Sequence, residues 1–209
     1  MGTVVLQGGG PFVANDELDR RLLVGLGGPV AVLPTAEAFE NPEEIKASAR
    51  AWAERLGISI VMCDVYTRAD AREVHHARAV ESSAAVVLVG DSSIHLRSTL
   101  LNTAVWEAIC AQSESGMVIG VGSCAAALCD PMIDQRGGAF GLGLGLVPGV
   151  SVLAESEKVP HDQLQRTSQL AGVPFIEVPT GSAVIVRDGK WTSVGDVVVH
   201  GELTVVSSR

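Results

Sequence analysis

The sequence predicts an α/β fold: a mostly parallel β-sheet with helices on both faces and a C-terminal antiparallel β extension. Three observations carry this. Short apolar runs alternate with amphipathic segments over the first two-thirds of the 209 residues. One run, "AAVVLV" (Ala84–Val89), is apolar throughout, as a parallel strand covered on both faces must be. The tail then breaks into short strands joined by glycine-containing turns.

In chain order, "TVVL" (Thr3–Leu6) reads as the first strand and ends at "GGG". Asp16–Leu26 reads as a helix with Asn15 as its N-cap. "VAVL" (Val30–Leu33) is the second strand. Asn41, Pro42 and Glu44 give the next helix an N-cap, a proline at its first position and a capping carboxylate. Ile45, Ala49, Trp52, Ala53 and Leu56 mark its apolar face. "ISIVM" (Ile58–Met62) is a third strand, and Ala69–Val80 reads as helical. After the fourth strand, Ser92 or Ser93 caps one long helix through Cys110. "MVIGV" (Met117–Val121) is the fifth strand. Six glycines from Arg136 to Gly149 make a loop, followed by "VSVL" and a helix around His161–Leu170. "PFIEV", "SAVIVR", "KWTSV", "VVVH" and "LTVV" read as an antiparallel meander.

The length suits one sizeable core, so residues 1–209 read as a single domain. Apolar residues make up 47% but aromatics only 4%, which predicts a core of Val, Leu, Ile and Ala. The net charge of −9, with no basic stretch, argues against a nucleic-acid or anionic-membrane partner. No window of 18 apolar residues and no secretory leader pattern is present, so a cytoplasmic protein is expected. Cys63, Cys110, Cys124 and Cys129 lack metal-type spacing and read as thiols. No cofactor or metal is expected.

Gly8–Gly10 could open a dinucleotide loop. The third glycine of that fingerprint would fall near Val13, however, and no acid ends the second strand. A tight turn is the simpler reading. His75 and His76 point about 100° apart on a helix and cannot share a metal easily. His95, His161 and His200 are scattered along the chain. The sharpest motif is "GVGSCAAAL" (Gly120–Leu128). It supplies a strand, a glycine and a run of alanines, as a nucleophile elbow needs, and places Cys124 at the helix start. There the helix N-terminus would lower a thiol pKa and offer N–H groups to an oxyanion. The competing reading is a small buried core cysteine.

Taken together, "VVLQGGGPF", "VAVLPTAEAFENPEE", "GDSSIHLRSTLLNTAVWEAI", "GVGSCAAAL" and "DPMIDQRGGAFGLGLGLVPG" resemble the peptidase S51 family. This is the dipeptidase E and cyanophycinase group within the class I glutamine amidotransferase-like superfamily. The resemblance runs from Thr3 to about Val152. It implies a flavodoxin-like three-layer α/β/α sandwich, a small-molecule or short peptide substrate, and a homodimer. The family elbow reads Gly-x-Ser-Ala-Gly-Ala. Laid on Cys124, it puts the cysteine at the serine, Ala126 at the glycine, and Ala125 as an oxyanion donor. Gly9 and Gly10 would border the substrate. The family's Gly-Gly loop after the fourth strand, which the resemblance implies as the source of a second oxyanion donor, reads Gly90-Asp91 here, and the family histidine falls on Glu155. His161 is the next imidazole along the chain.

Two expectations follow. In one, Cys124 attacks an acyl or amide carbon with Glu155 or His161 assisting. In the other, the chain keeps the fold and pocket for binding, for oligomerisation or for a non-hydrolytic reaction.

Overall fold

A computed structural model describes residues 2–134 and 138–204. Strands β1 (Thr3–Gln7), β2 (Val30–Leu33), β3 (Ile60–Met62), β4 (Ala85–Leu88) and β5 (Met117–Val121) are mutually parallel. The helices between them are α1 (Asp16–Leu23), α2 (Pro42–Leu56), α3 (Val74–Glu81), α4 (Ser93–Leu100) and α5 (Ala104–Ser115). After β5 come α6 (Ser123–Leu128) and four two-residue strands. These are β6 (Cys129–Asp130), β7 (Met132–Ile133), β8 (Phe140–Gly141) and β9 (Val147–Pro148). The chain then runs through β10 (Ser151–Ala154), α7 (His161–Leu170), β11 (Phe175–Val178), β12 (Ala183–Arg187), β13 (Lys190–Val194) and β14 (Val198–His200).

Seven strands form the central sheet in the order β13-β12-β1-β5-β4-β2-β3. Period-2 alternation splits its side chains between two cores. Val4, Leu6, Ala31, Leu33, Val86 and Leu88 pack under α3, α4, α5 and α6. Val5, Val30, Val32, Val87 and Ile119 pack under α1 and α2. Both faces are covered, which is why β1, β2 and β4 are buried at every position.

The two long-helix expectations change in detail. The helix expected through Cys110 is two helices, because Asn102 turns into the left-handed region (φ 57°). Ser92 caps α4 through the His95 amide at 3.3 Å, and Thr103 restarts the chain by capping α5 through Trp106 N at 3.3 Å. The expected Ala69–Val80 helix is a 3₁₀ turn (Asp70–Arg72) followed by α3. Asn15 does not cap α1 with its side chain; its Nδ2 donates to the Gly9 carbonyl at 3.3 Å.

The tail is not one meander. The β12–β13 hairpin extends the main sheet, antiparallel to β1. β11 lies parallel to β10 and antiparallel to β14 in a separate three-stranded sheet. Of "LTVV", Leu203 and Thr204 are not in a strand, while Val205 and Val206 lie outside the described residues. Arg136 and Gly137 of the glycine-rich loop also lie outside them. Among the described residues, no helix is long and apolar enough to cross a membrane.

Candidate functional site

The carboxyl ends of β1, β5 and β4 converge, and the turns that leave them make a crevice of the kind where open α/β sheets bind ligands. Gly8–Gly10 leaves β1, Gly122 leaves β5, and Gly90–Asp91 follows β4. Gly122 N donates to the Gln7 carbonyl at 3.0 Å, tying the two central turns together.

The strained backbone of the β5–α6 corner falls on Gly122. Its φ of 60° and ψ of −125° lie where a residue with a side chain pays ~1–3 kcal/mol. A nucleophile elbow holds its reactive side chain at that strained tip, aimed out over the sheet edge. A Cβ placed on Gly122 would meet open space, with only the Gly8 carbonyl oxygen within 4 Å, at 3.9 Å. The position is shaped for a side chain and has none.

Gly120 fixes this register independently. A Cβ there would lie 3.0 Å from Cα and N of Ala125, so β5 and α6 approach closely at Gly120. The family pattern therefore lies on Gly120-Val121-Gly122-Ser123-Cys124-Ala125. Gly122 takes the serine position, and Cys124 takes that of the second glycine.

Cys124 is accordingly a core residue. It is 0% exposed, and its thiol donates to the Gly90 carbonyl at 3.6 Å. Burial pushes its pKa well above the ordinary thiol value, and the nearby charges of Asp91 and Glu37 push it further. This corrects the expected thiolate: the sulfur is sealed from solvent against the Gly90 carbonyl. The Ala125 amide is also committed, because it donates to the Gly122 carbonyl at 3.0 Å within the first turn of α6.

The other expected residues separate into two groups. Gly9 and Glu155 lie together at the turn after β1, while Gly90 and Asp91 stand by Cys124. Glu155 stands in the left-handed region (φ 52°) and donates its N–H to the Gly8 carbonyl at 3.0 Å. Its side chain covers the Gly9 backbone and pairs with Lys158 at 2.5 Å. Gly10 (φ 63°) turns the chain towards α1, with its carbonyl accepting from Ala14 N at 2.9 Å. His161 starts α7 on the surface, so it cannot serve a sulfur sealed in the core. Glu155 does not serve that sulfur either; the carboxylates whose fields reach Cys124 are Asp91 and Glu37.

The expected second oxyanion donor is engaged as well. The Asp91 backbone N–H hydrogen-bonds the Glu37 carboxylate. Burial holds the Glu37 carboxyl above its usual range; hydrogen bonds from the Asn41 and Asp91 amides oppose this, and the charges of Asp91 and Glu40 add to it. On the other flank, Thr180 donates its N–H and Oγ to Glu157 at 3.1 and 2.6 Å. Burial raises the Glu157 pKa, but those bonds outweigh it and hold the carboxyl below its ordinary value.

Beside the corner opens a cavity of about 300 Å³, lined by Phe39, Asp91, Ser92, Ser93, Ile94, His95, Ser98, Ser123 and Asp134. Reading the sequence missed Gly122, Ser123, Glu37 and Lys158. The available signal was the repeated glycine in "GVG", which lets the elbow pattern be laid in two registers. All four cysteines are free thiols, and no cluster of three or more metal-ligating side chains exists among the described residues.

Comparison with solved structures agrees with this architecture. A peptidase from an acI-B1 Actinobacterium superposes with a TM-score of 0.83 at 25% identity, over 99% of this chain and 92% of its own. A protein of Listeria monocytogenes EGD-e, provisionally named a peptidase E, superposes with a TM-score of 0.68 at 17% identity, over 96% and 98%. No family model and no curated protein matches the sequence. The class is therefore that of the peptidase E-like fold: a mostly parallel sheet flanked by helices.

Proposed function

We propose that this chain is a non-hydrolytic relative of the S51-type peptidases, which keeps the crevice to bind a small ligand without attacking it. One observation carries the reading: the elbow backbone belongs to Gly122, which has no side chain to act as nucleophile. The remaining parts support it. Cys124 is sealed and protonated, Glu155 is paired to Lys158, and the Ala125 and Asp91 amides are already bonded. Covalent acyl transfer needs an activated nucleophile, a proton carrier and free oxyanion donors together.

The test is turnover of short amides and dipeptides, with acidic residues included, by the wild-type protein and by Cys124→Ala and Ser123→Ala. The expected result is no product above the uncatalysed rate and no acyl-enzyme burst. Turnover by wild type that disappears in Cys124→Ala would overturn the reading and restore the cysteine-hydrolase alternative. Turnover that disappears in Ser123→Ala would overturn it in favour of the hydroxyl beside the tip.

A further inference from the structure

We infer that Asp19 and Asn15 form a proton-operated switch, which sets whether the Gly9 carbonyl at the crevice turn is held or released. Four groups align to make it. Asn15, the N-cap of α1, and Asp19 stand one turn apart on one face, and Gln7 and Gly9 stand two residues apart where β1 ends. A helical turn advances about 5.4 Å and two strand residues about 6.6 Å, so the two pairs match in register. The bonds follow that match. Asp19 Oδ1 accepts from Gln7 Nε2 at 2.6 Å, and Asn15 Nδ2 donates to the Gly9 carbonyl at 3.3 Å.

One atom of this set is left over. Asn15 is buried, and its Oδ1 accepts no hydrogen bond among the described residues. Buried acceptors are nearly always paired, so this one calls for a donor. Asp19, one turn along the same helix face, supplies a donor only when it carries a proton. Its surroundings favour that form. It is itself buried, and its two donors, Gln7 Nε2 and Trp52 Nε1, are both neutral. On α1, the charge of Asp16 opposes a second negative charge. On α2, Arg55 is committed to Asp16 and to the Phe12 carbonyl, while Arg20 reaches outward to the Arg55 carbonyl. Beyond the turn, Glu155 lies over Gly9 and is paired with Lys158.

The two protonation states call for two orientations of one carboxamide. With the proton on, the Asp19 hydroxyl donates to Asn15 Oδ1, and Asn15 Nδ2 stays on the Gly9 carbonyl. When the proton leaves to solvent, both Asp19 oxygens are acceptors only. Asn15 Oδ1 then faces a carboxylate, oxygen to oxygen. The amide turns over, gives Nδ2 to Asp19 and lets the Gly9 carbonyl go. The oxygen and nitrogen ends of the amide are nearly equal in size, so the turn needs no repacking. The freed carbonyl is left to accept from water or from an occupant of the crevice. A proton held in the core under α1 and α2 thus reaches the crevice edge through a single side chain.

The test is an NMR titration of the isotope-labelled full chain from about pH 4 to about pH 8, a range that spans carboxylate ionisation. Burial raises the Asp19 pKa to about 6, against the bonds from Gln7 and Trp52, so its carboxyl carbon should titrate there. The Asn15 side-chain amide should shift with the same midpoint. So should the Gly10 N–H, which shares a peptide group with the Gly9 carbonyl. Asn15→Ser keeps a favourable N-cap residue and removes the carboxamide. In that variant Asp19 should still titrate, while Gly10 loses its response. Asp19→Asn, neutral at every pH, should leave both signals flat; the Asn15→Ser comparison stands without it. A Gly10 response that persists in Asn15→Ser would show Asp19 acting through its field alone and overturns the inference. An Asn15 amide that stays still while Asp19 titrates overturns it too, as does an Asp19 carboxyl that does not titrate in the folded protein.

Discussion

Gly122 and Cys124 exchange the roles that the sequence suggests for them, and each can be checked directly. Gly122→Cys places a thiol at the open tip. It should be alkylated by iodoacetamide far faster than any native cysteine, while costing ~1–3 kcal/mol of stability for its strained backbone. In wild type, Cys110 is the half-buried thiol and should label first. Cys124 and Cys129, both 0% exposed, should label only as fast as the native state opens. Rapid native labelling of Cys124, read by peptide mass spectrometry, would contradict the placement of its sulfur.

This was the least legible part of the site. "GVGSCAAAL" contains glycines at both 120 and 122, so a glycine-x-nucleophile pattern fits twice. Reading for chemistry favours the register that ends on a cysteine. Packing decides otherwise, because Gly120 is the residue that β5 and α6 require to be bare. Glu155, expected to assist Cys124, stands instead against Gly8 and Gly9 and pairs with Lys158. His161, expected in the same role, starts α7 on the surface, beyond a 3₁₀ turn that separates it from Glu155.

At the level of elements, strand positions were legible because their apolar runs are bounded by glycine, proline or polar turns. The break between α4 and α5 was not, since Leu101–Thr103 shows no glycine or proline. Thr103 explains the break: its hydroxyl donates to the Leu100 carbonyl at 2.6 Å and accepts from the Trp106 amide at 3.3 Å. Thr103→Ala should cost ~1 kcal/mol in denaturant unfolding, the usual worth of an N-cap. Gly90 is the stricter position. Its φ is 116°, and a Cβ there would overlap the Glu37 nitrogen and the Ala36 carbonyl carbon. Gly90→Ala should therefore cost at least ~2 kcal/mol and disturb the turn that presents Asp91. An unchanged unfolding midpoint would show that the Thr35–Glu37 turn moves aside freely.

Across the whole molecule, the core under α1 and α2 carries one buried acid. Asp19 is 4% exposed and accepts from Gln7 Nε2 at 2.6 Å and Trp52 Nε1 at 3.1 Å. Burial outweighs those two bonds and raises its pKa to about 6. The sign follows from proton counting. Between pH ~4 and ~6 the unfolded chain has released this proton while the native state keeps it, so the contribution of Asp19 to stability falls as pH rises. The roughly two-unit shift corresponds to ~3 kcal/mol, complete above pH 6. Asp16, whose carboxyl is held low by its hydrogen bond from Arg55, works in the opposite sense and loses its contribution as pH falls. Unfolding curves of wild type and Asp19→Asn at several pH values separate the two: the difference between the proteins should change across pH 4–6 and be flat above it.

The sequence by itself determined the class of fold, since alternating apolar runs and amphipathic segments of this length can bury their faces only as a helix-covered parallel sheet. It also determined which turns meet at the carboxyl edge, because parallel strands deliver their following loops to one side. Tertiary structure alone decided which residue stands at the tip, where the Cys124 sulfur points, and that the last strands divide between two sheets. Each depends on how closely particular backbones approach, at Gly120 against Ala125, Gly90 against Glu37, and β11 against β10. A linear pattern records the presence of glycines and apolar residues; it does not record the distance across which they pack.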